Sequence, residues 1–232
     1  MRRISMTNKE VHKIVAQQFN LFFKEYGFIK RGTNCWVRST DEMIHMICLN
    51  FSYGQEHFDF DIAVQPWCVP EEDIYLNISA RLKMLDNRDE VRNWGSCDEA
   101  VLDNDIKDAE QVFTKRVFPL LEQLSGCMSL IKTVDRITGE KIFVIDPYKK
   151  SRLWTYINYY KHNFIEADEW ARQYSVLHND FNSEKTIEDK AKIKSLGKFF
   201  SNNDIEEIDK FFADIIESNR RNFKLDKTNK RR

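Results

Sequence analysis

Large apolar and polar side chains alternate most clearly near the middle of the first half of the chain. The alternation runs from Phe58 to Gln65, with a large apolar residue at every second position up to Val64. A period of two is typical of a β-strand that buries one face and exposes the other. A second β-rich run, Met43–Ser52, precedes it across a short turn at residues 53–56. This pattern predicts a β-hairpin at the centre of the fold.

A helix is predicted before this hairpin, from Thr7 to Tyr26. Thr7 and Glu10 have the spacing of a capping box, in which each side chain accepts a hydrogen bond from a backbone amide at the helix start. Gly27 follows as a residue that readily adopts the left-handed conformation just past a helix end. The apolar residues at helical spacing form one stripe: Val11, Ile14, Val15, Phe19, Phe22 and Phe23.

Three further segments complete the N-terminal pattern. Gly32–Arg38 is predicted to be a strand. Alternation over residues 74–82 favours a fourth strand, although the four-residue spacing of its large apolar residues is also compatible with a helix. A helix from about residue 104 to 124 contains Pro119, which predicts a kink because proline lacks the amide hydrogen. Residues 1–126 are therefore predicted to form an α+β domain, with a three- to four-stranded antiparallel sheet and two helices on one face.

The pattern becomes mostly helical in the C-terminal part. Residues 127–150 are predicted to be a connector with a short helix at Met128–Val134 and a short strand at Lys141–Ile145. Residues 151–222 show helical spacing over three or four segments, the last starting near a cap at Asn203. Residues 223–232 are predicted to be a basic tail.

Composition and charge narrow the class of protein. The chain has 232 residues, a formal net charge of −1 and 13% aromatic residues, which fits an ordered globular protein with a sizeable core. The segment Arg220–Arg232 holds seven basic residues and one acidic residue, so the rest of the chain is net acidic. An acidic body makes nucleic acid an unlikely partner, and the tail is expected to be a solvated terminus.

The five cysteines have no metal-binding or redox spacing. We expect buried thiols in a reducing compartment, and neither a disulfide framework nor a zinc ribbon. No apolar run approaches membrane-spanning length, and no apolar segment follows the basic start. The prediction is a cytoplasmic protein without a membrane partner.

Several of these features occur together in one family. The N-terminal part resembles the bacterial domain-of-unknown-function family 4304 over about residues 8–125. The resemblance is carried by the leading helix, by Tyr26–Gly32, by Trp36-Val37-Arg38, by the strands Ile44–Ser52 and Phe58–Val64, by Ala80-Arg81-Leu82, and by Val117–Leu121. It differs in that Val37 separates the aromatic residue from Arg38. The resemblance implies a small α+β domain and no particular activity.

One short cluster has the chemistry of a metal site. His57, Asp59 and Asp61 alternate along a predicted strand and therefore share one face, about 7 Å apart at successive steps. An imidazole and two carboxylates can hold a divalent cation that activates water for hydrolysis. The lysine of many metal-dependent nucleases is missing, because Gln65-Pro66 follows. A solvated strand face is the ordinary alternative.

A second candidate is the polar face of the sheet. If the strand registers align, it presents aromatic, arginine and amide side chains, a composition typical of protein-binding surfaces. An open alternative is that the helical subdomain covers this face. The predicted surface comprises Trp36, Arg38, Asn50, Asp59, Asp61, Tyr75, Asn77 and Arg81.

These observations favour a non-enzymatic protein-binding module, for which an immunity-like role is one analogy. No catalytic residue, resident cofactor or nucleotide-binding motif is predicted. The alternative is a metal-dependent hydrolase or nuclease that uses His57, Asp59 and Asp61. Nucleic-acid binding through the basic tail is a third hypothesis. His45, which lies in an apolar run, is predicted to be a core or semi-buried residue.

Overall fold

The computed structural model describes residues 5–52, 56–71, 78–85, 94–139, 145–177 and 183–223. The chain divides into two compact units. Unit 1 comprises Met1–Val64 and Ile78–Val144, and unit 2 comprises Gln65–Asn77 and Ile145–Arg232. This division differs from the predicted one, because a segment after the central hairpin is assigned to the helical unit.

Unit 1 contains an antiparallel sheet of five strands whose spatial order follows the chain. The strands are β1 (Ile29–Arg31), β2 (Cys35–Ser39), β3 (Met43–Phe51), β4 (Phe58–Pro66) and β5 (Ile78–Arg81). The α+β class and the central hairpin are confirmed. The predicted strand count was too low because β1 has only three residues, too few to show a pattern. Gly32, with a φ of 68°, lies between β1 and β2.

The first helix, α1 (Asn8–Glu25), begins and ends as its sequence predicts. Thr7 accepts from the Glu10 amide, and the Glu10 carboxylate accepts from the Thr7 amide at 2.8 Å. Gly27 follows the helix with a φ of 79°. The buried residues of α1 are Val11, Val15, Phe19 and Phe23, which lie on one side of the helix.

The remaining helices of unit 1 follow the sheet. They are α2 (Leu82–Leu85), α3 (Glu99–Val112), a π-helical turn (Phe113–Val117), α4 (Phe118–Gln123) and α5 (Cys127–Gly139). The kink predicted at Pro119 takes the form of this π-turn, in which the Phe118 amide donates to the Phe113 carbonyl. The strand predicted from residue 74 begins only at Ile78 within the described residues and gives way to α2 at Leu82.

An aromatic cluster joins the helices to one face of the sheet. Phe19 of α1 packs on Phe60 of β4 with ring centroids 4.6 Å apart, and Phe23 packs edge-on against Trp36 at 5.0 Å. Phe113 of the π-turn packs against both phenylalanines of α1. The alternation in β4 therefore does select the buried face, as predicted.

Unit 2 is built mainly from helices, as predicted. They are α6 (Pro147–Tyr160), α7 (Phe164–Leu177), α8 (Glu184–Ser201) and α9 (Ile205–Asn222). The cap of α9 is Asp204 instead of the predicted Asn203, which has a φ of 56°. The predicted strand at Lys141–Ile145 and the basic tail after Phe223 lie almost entirely outside the described residues. None of the described helices is long and apolar enough to cross a membrane.

One cysteine prediction was wrong. Cys35 and Cys48 form a disulfide with their Cα atoms 4.2 Å apart. They are directly paired across β2 and β3, a proximity that their separation of 13 residues does not reveal. Cys68, Cys97 and Cys127 form no disulfide within the described part of the chain.

Candidate functional site

The predicted polar surface is divided between the two faces of the sheet. Trp36 is fully buried, and its Nε1 donates to Asn20 Oδ1 of α1 at 3.1 Å. The prediction placed it on an exposed face, and this was wrong. Trp36 pairs with Ile47 across the strands, so it shares the face that α1 covers. Its neighbour Val37 is also fully buried, so alternation in β2 did not distinguish the two faces.

Arg38 lies on the same covered face and belongs to a cluster at the edge of the core. Its guanidinium lies 2.8 Å from Glu122 and 3.2 Å from Nδ1 of His45. His45 is fully buried, as predicted, with Nε2 3.3 Å from the Leu124 carbonyl. Burial, together with the adjacent Arg38 charge, lowers the pKa of His45 to about 4. The neutral imidazole therefore forms part of the core.

The opposite face does bring four of the predicted residues together. Asn50 donates to Asp61 at 2.7 Å, and Arg81 lies 3.7 Å from the other oxygen of that carboxylate. Asp59 lies 3.8 Å from Lys83, and burial raises the pKa of Asp59. Tyr75 and Asn77 lie outside the described residues. We call Asn50, Asp59, Asp61 and Arg81 the acidic strip.

The acidic strip is narrow because its neighbours on the same face are buried. Ile44 and Ala63 are at most 1% exposed, and Met46 is also buried. A broad protein-binding surface needs a central patch of accessible side chains. The strip offers only a polar border.

The predicted metal residues were examined for their surroundings. In the described part of the chain, no three His, Cys, Asp or Glu side chains are grouped so that they could hold a metal ion. Asp59 and Asp61 each have a cationic neighbour, in Lys83 and Arg81 respectively. Metal binding at His57, Asp59 and Asp61 stays a prediction. Thermal unfolding of wild type and Asp59→Ala with Mg²⁺, Mn²⁺ and Zn²⁺ tests it, because a bound ion raises the midpoint of wild type alone.

A larger concavity lies elsewhere on unit 1, along the outer side of α1. Its volume is about 790 Å³, within the range of ligand-binding clefts. Helix α1 lines it on one side, and β1, the β1–β2 turn and the end of β3 line it on the other. We call it the α1 groove, and its residues are His12, Lys13, Ala16, Gln17, Gln18, Asn20, Leu21, Lys30, Thr33, Asn34 and Phe51.

The α1 groove is held in shape by contacts between the helix and the sheet. His12 stacks on Phe51 with ring centroids 3.8 Å apart. Asn20 accepts the indole hydrogen bond of Trp36, and the Lys30 ammonium lies 5.9 Å from the centroid of the same indole. The groove is therefore fixed at two points along α1.

The accessible side chains of the α1 groove are cationic, amide and apolar. Lys13 and Lys30 are both exposed, and no acidic residue lines the groove. Within the described residues, neither ammonium has a carboxylate partner, and the side-chain amides of Gln17 and Asn34 make no hydrogen bond. Leu21 adds an apolar side chain that is 62% exposed. These groups are available to a ligand.

Unit 2 contains a second charged cluster, which is buried. Arg152 donates from Nε and Nη2 to both oxygens of Asp189, at 2.5 and 3.1 Å, and from Nη1 to Glu71 at 2.6 Å. Tyr156 donates to Asp189, and Lys185 donates to the second oxygen of Glu71 at 3.0 Å. Burial alone would lower the pKa of Arg152, but the two carboxylates outweigh it and raise that pKa.

The backbone of the segment 66–71 is bound within the same unit. Asn219 of α9 donates to the carbonyls of Trp67 and Val69 and accepts from the Glu71 amide. Arg152 donates to the Pro70 carbonyl at 2.7 Å. Cavities of about 430 and 310 Å³ adjoin the Arg152 cluster. Because the charged groups beside them are already bonded to one another, the cluster serves to hold this segment on the helices.

The sequence analysis missed the α1 groove. Its α1 residues have the spacing of an ordinary solvent-exposed helix face, and its sheet residues lie in separate short segments. The unusual signal was local: Lys13, Gln17 and Asn20 occur at helical spacing without an acid among them. The juxtaposition with Lys30 and Asn34 depends on the register of β1 and β2.

Comparisons with known proteins add no family. No protein-family model, curated protein or solved structure shows a significant match to this chain. The resemblance to family 4304 therefore stays a prediction, and function is argued from the geometry alone.

Proposed function

We propose that this protein is a non-enzymatic binding module that recognises a segment of another protein in the α1 groove. The observation that supports this is the groove itself, about 790 Å³ in volume, whose accessible lysines and amides have no side-chain hydrogen-bond or ion-pair partners in the described protein. Polar groups of this kind remain solvated until a ligand pairs with them.

The lining fits recognition better than catalysis. It contains no Asp, Glu, Cys or Ser, so the groove has no carboxylate acid or base and no cysteine or serine nucleophile. His12, its one imidazole, is stacked against Phe51. Leu21 and Phe51 supply apolar contact area beside the polar groups, which is the usual mixture in protein-binding sites.

The acidic strip and the immunity-like role are parts of the earlier hypothesis that this proposal does not need. A cytosolic protein partner remains the expected class. The α1 groove replaces the polar sheet face as the main contact, because Trp36 and Arg38 are turned toward the helices.

A blocking substitution tests the proposal. Ala16 lies in the α1 groove on α1, so Ala16→Trp fills the groove while the buried side of the helix is unchanged. A displayed library of random peptides is selected on immobilised wild type, and the recovered peptides are measured against the variant. We expect them to lose at least about tenfold in affinity, since a filled groove excludes the ligand.

The matched control is Ala100→Trp, which adds the same side chain at an exposed position of α3. Peptides that bind wild type, Ala16→Trp and Ala100→Trp equally well would place the contact outside the α1 groove. A library that yields no binder at all would also count against the proposal.

A further inference from the structure

We propose that the α1 groove binds an extended polypeptide segment that carries two acidic residues three positions apart. The inference rests on the proposed function and specifies the chemistry of its partner. It depends on the charge of the lining, on the spacing of two lysines along α1, and on the side of the groove from which each lysine projects.

Charge complementarity identifies the class of ligand. Lys13 and Lys30 are exposed, the lining contains no carboxylate, and no described acidic residue pairs with either ammonium. Each lysine can therefore pair with a carboxylate of a partner without breaking an internal ion pair. An acidic segment gains two such pairs, whereas a basic segment meets two like charges.

The spacing of the lysines follows from helix geometry. The Lys30 ammonium lies over the Trp36 indole, which donates to Asn20, so Lys30 is level with Asn20 along α1. Lys13 precedes Asn20 by two turns of the same helix. At about 1.5 Å per residue the two lysines are separated by roughly 10 Å along the helix axis. Three residues of extended chain, at about 3.3 Å each, cover the same distance.

The two lysines also lie on opposite sides of the groove. Lys13 is on α1, and Lys30 is on β1. In an extended chain successive side chains point to opposite sides, so residues three positions apart face opposite ways. One acidic residue would then face the helix and the other would face the sheet.

The amides between the lysines suit the backbone of such a segment. Gln17 and Asn34 line the groove with side-chain amides that make no hydrogen bond within the described residues. A side-chain amide can donate to a peptide carbonyl and accept from a peptide amide. These contacts do not depend on the side chains of the ligand, so the acidic spacing sets the specificity.

A nucleic acid fits the groove less well. Its phosphates recur at every nucleotide, whereas the groove presents two lysines and no arginine. Proteins that bind single strands combine a continuous basic channel with exposed aromatic faces. Here one face of Phe51 is covered by His12, and Trp36 is fully buried.

The test uses short fluorescein-labelled peptides of Ser, Thr and Val and measures fluorescence anisotropy. One peptide has two Glu separated by two residues, a second has two adjacent Glu, and a third has Gln at the spaced positions. We expect the spaced Glu peptide to bind about tenfold more tightly than the Gln peptide, because two exposed ion pairs are gained. Its affinity should fall as salt is added.

Charge reversal provides the matched variant. Lys13→Glu/Lys30→Glu should lose the spaced Glu peptide and gain a peptide with Lys at the same positions. Lys107→Glu/Lys115→Glu makes the same change at exposed residues outside the groove and should leave both affinities unchanged.

The outcomes separate the inference from the proposed function. Equal binding of the Glu and Gln peptides, or of the spaced and adjacent Glu peptides, would overturn the inference, while library peptides blocked by Ala16→Trp would still support the binding module. A single-stranded oligonucleotide that binds more tightly than every peptide, with the same dependence on Lys13 and Lys30, would also overturn it.

Discussion

The two charged regions of this protein differ in how their charges are matched. In unit 2, Arg152 and Glu71 have side chains that are 9% and 2% exposed, and each is bonded to other charged groups of the same unit. In the α1 groove of unit 1, Lys13 and Lys30 are exposed and have no described carboxylate partner. Charged groups occur in both regions, but only the groove leaves them available.

This difference assigns different roles to similar residue types. A buried charge must be paired within the protein, because an unpaired one costs several kcal/mol. An exposed lysine costs little when it is unpaired, so it can be kept for a ligand. Loss of the Arg152 cluster should therefore reduce stability, and loss of the groove lysines should reduce binding.

The largest expected effect is on Arg152. Arg152→Met removes the shared partner of Glu71 and Asp189 and leaves two buried carboxylates, so we expect a loss of about 3–5 kcal/mol in the free energy of unfolding. Urea denaturation measures it, with Arg172→Met at an exposed position of α7 as the control. If Arg152→Met does not fold, Arg152→Lys retains the charge without the two-pronged bond and should lose less. Equal stability of all three variants with wild type would contradict the comparison.

The cluster around His45 should show an intermediate effect that depends on pH. The folded protein holds the pKa of His45 at about 4, below its ordinary value of 6.5. The unfolded chain therefore takes up a proton first as the pH falls, and stability decreases from pH 6.5 toward pH 4, by about 3 kcal/mol in total. Above this window the contribution is constant.

Urea denaturation at a series of pH values measures this slope. His45→Gln should flatten it, whereas His162→Gln, at an exposed position, should leave it as in wild type. A slope that is the same in wild type and His45→Gln would show that other groups cause the acid sensitivity.

The smallest expected effect on stability is at the groove lysines. Lys13→Glu/Lys30→Glu should change the free energy of unfolding by less than about 0.5 kcal/mol, since neither lysine has an internal ion-pair partner to lose. The same urea titration checks it. A loss of 2 kcal/mol or more, on the order of a core defect, would mean that these residues support the fold, and the contrast with Arg152 would fail.

Local patterns allowed part of this structure to be predicted. The cap at Thr7 and Glu10, the helix end at Gly27 and the strand that begins at Phe58 are set by residues close together in the chain. The kink at Pro119 was also predicted, although its π-helical form was not. Such features depend on hydrogen bonds and spacing within a few residues.

The features that were missed depend on residues far apart. The face of Trp36 is decided by α1 and by its pairing with Ile47, since its neighbour Val37 is equally buried. The α1 groove requires the β1–β2 turn to lie beside α1. The Arg152 cluster joins residues up to 81 positions apart. No local pattern contains these distances.

The segment Trp67–Glu71 has a consequence for the order in which the protein can fold during synthesis. Its partner Arg152 follows Glu71 by 81 residues, and Asn219 follows it by 148. At about 5–20 residues per second, roughly 4–16 s pass before Arg152 is made, and longer before Asn219. During that time the side chains of Trp67 and Val69, which are buried in the finished protein, have no helices of unit 2 to cover them. The nascent chain therefore exposes an apolar segment that a chaperone can bind until the last helix leaves the ribosome.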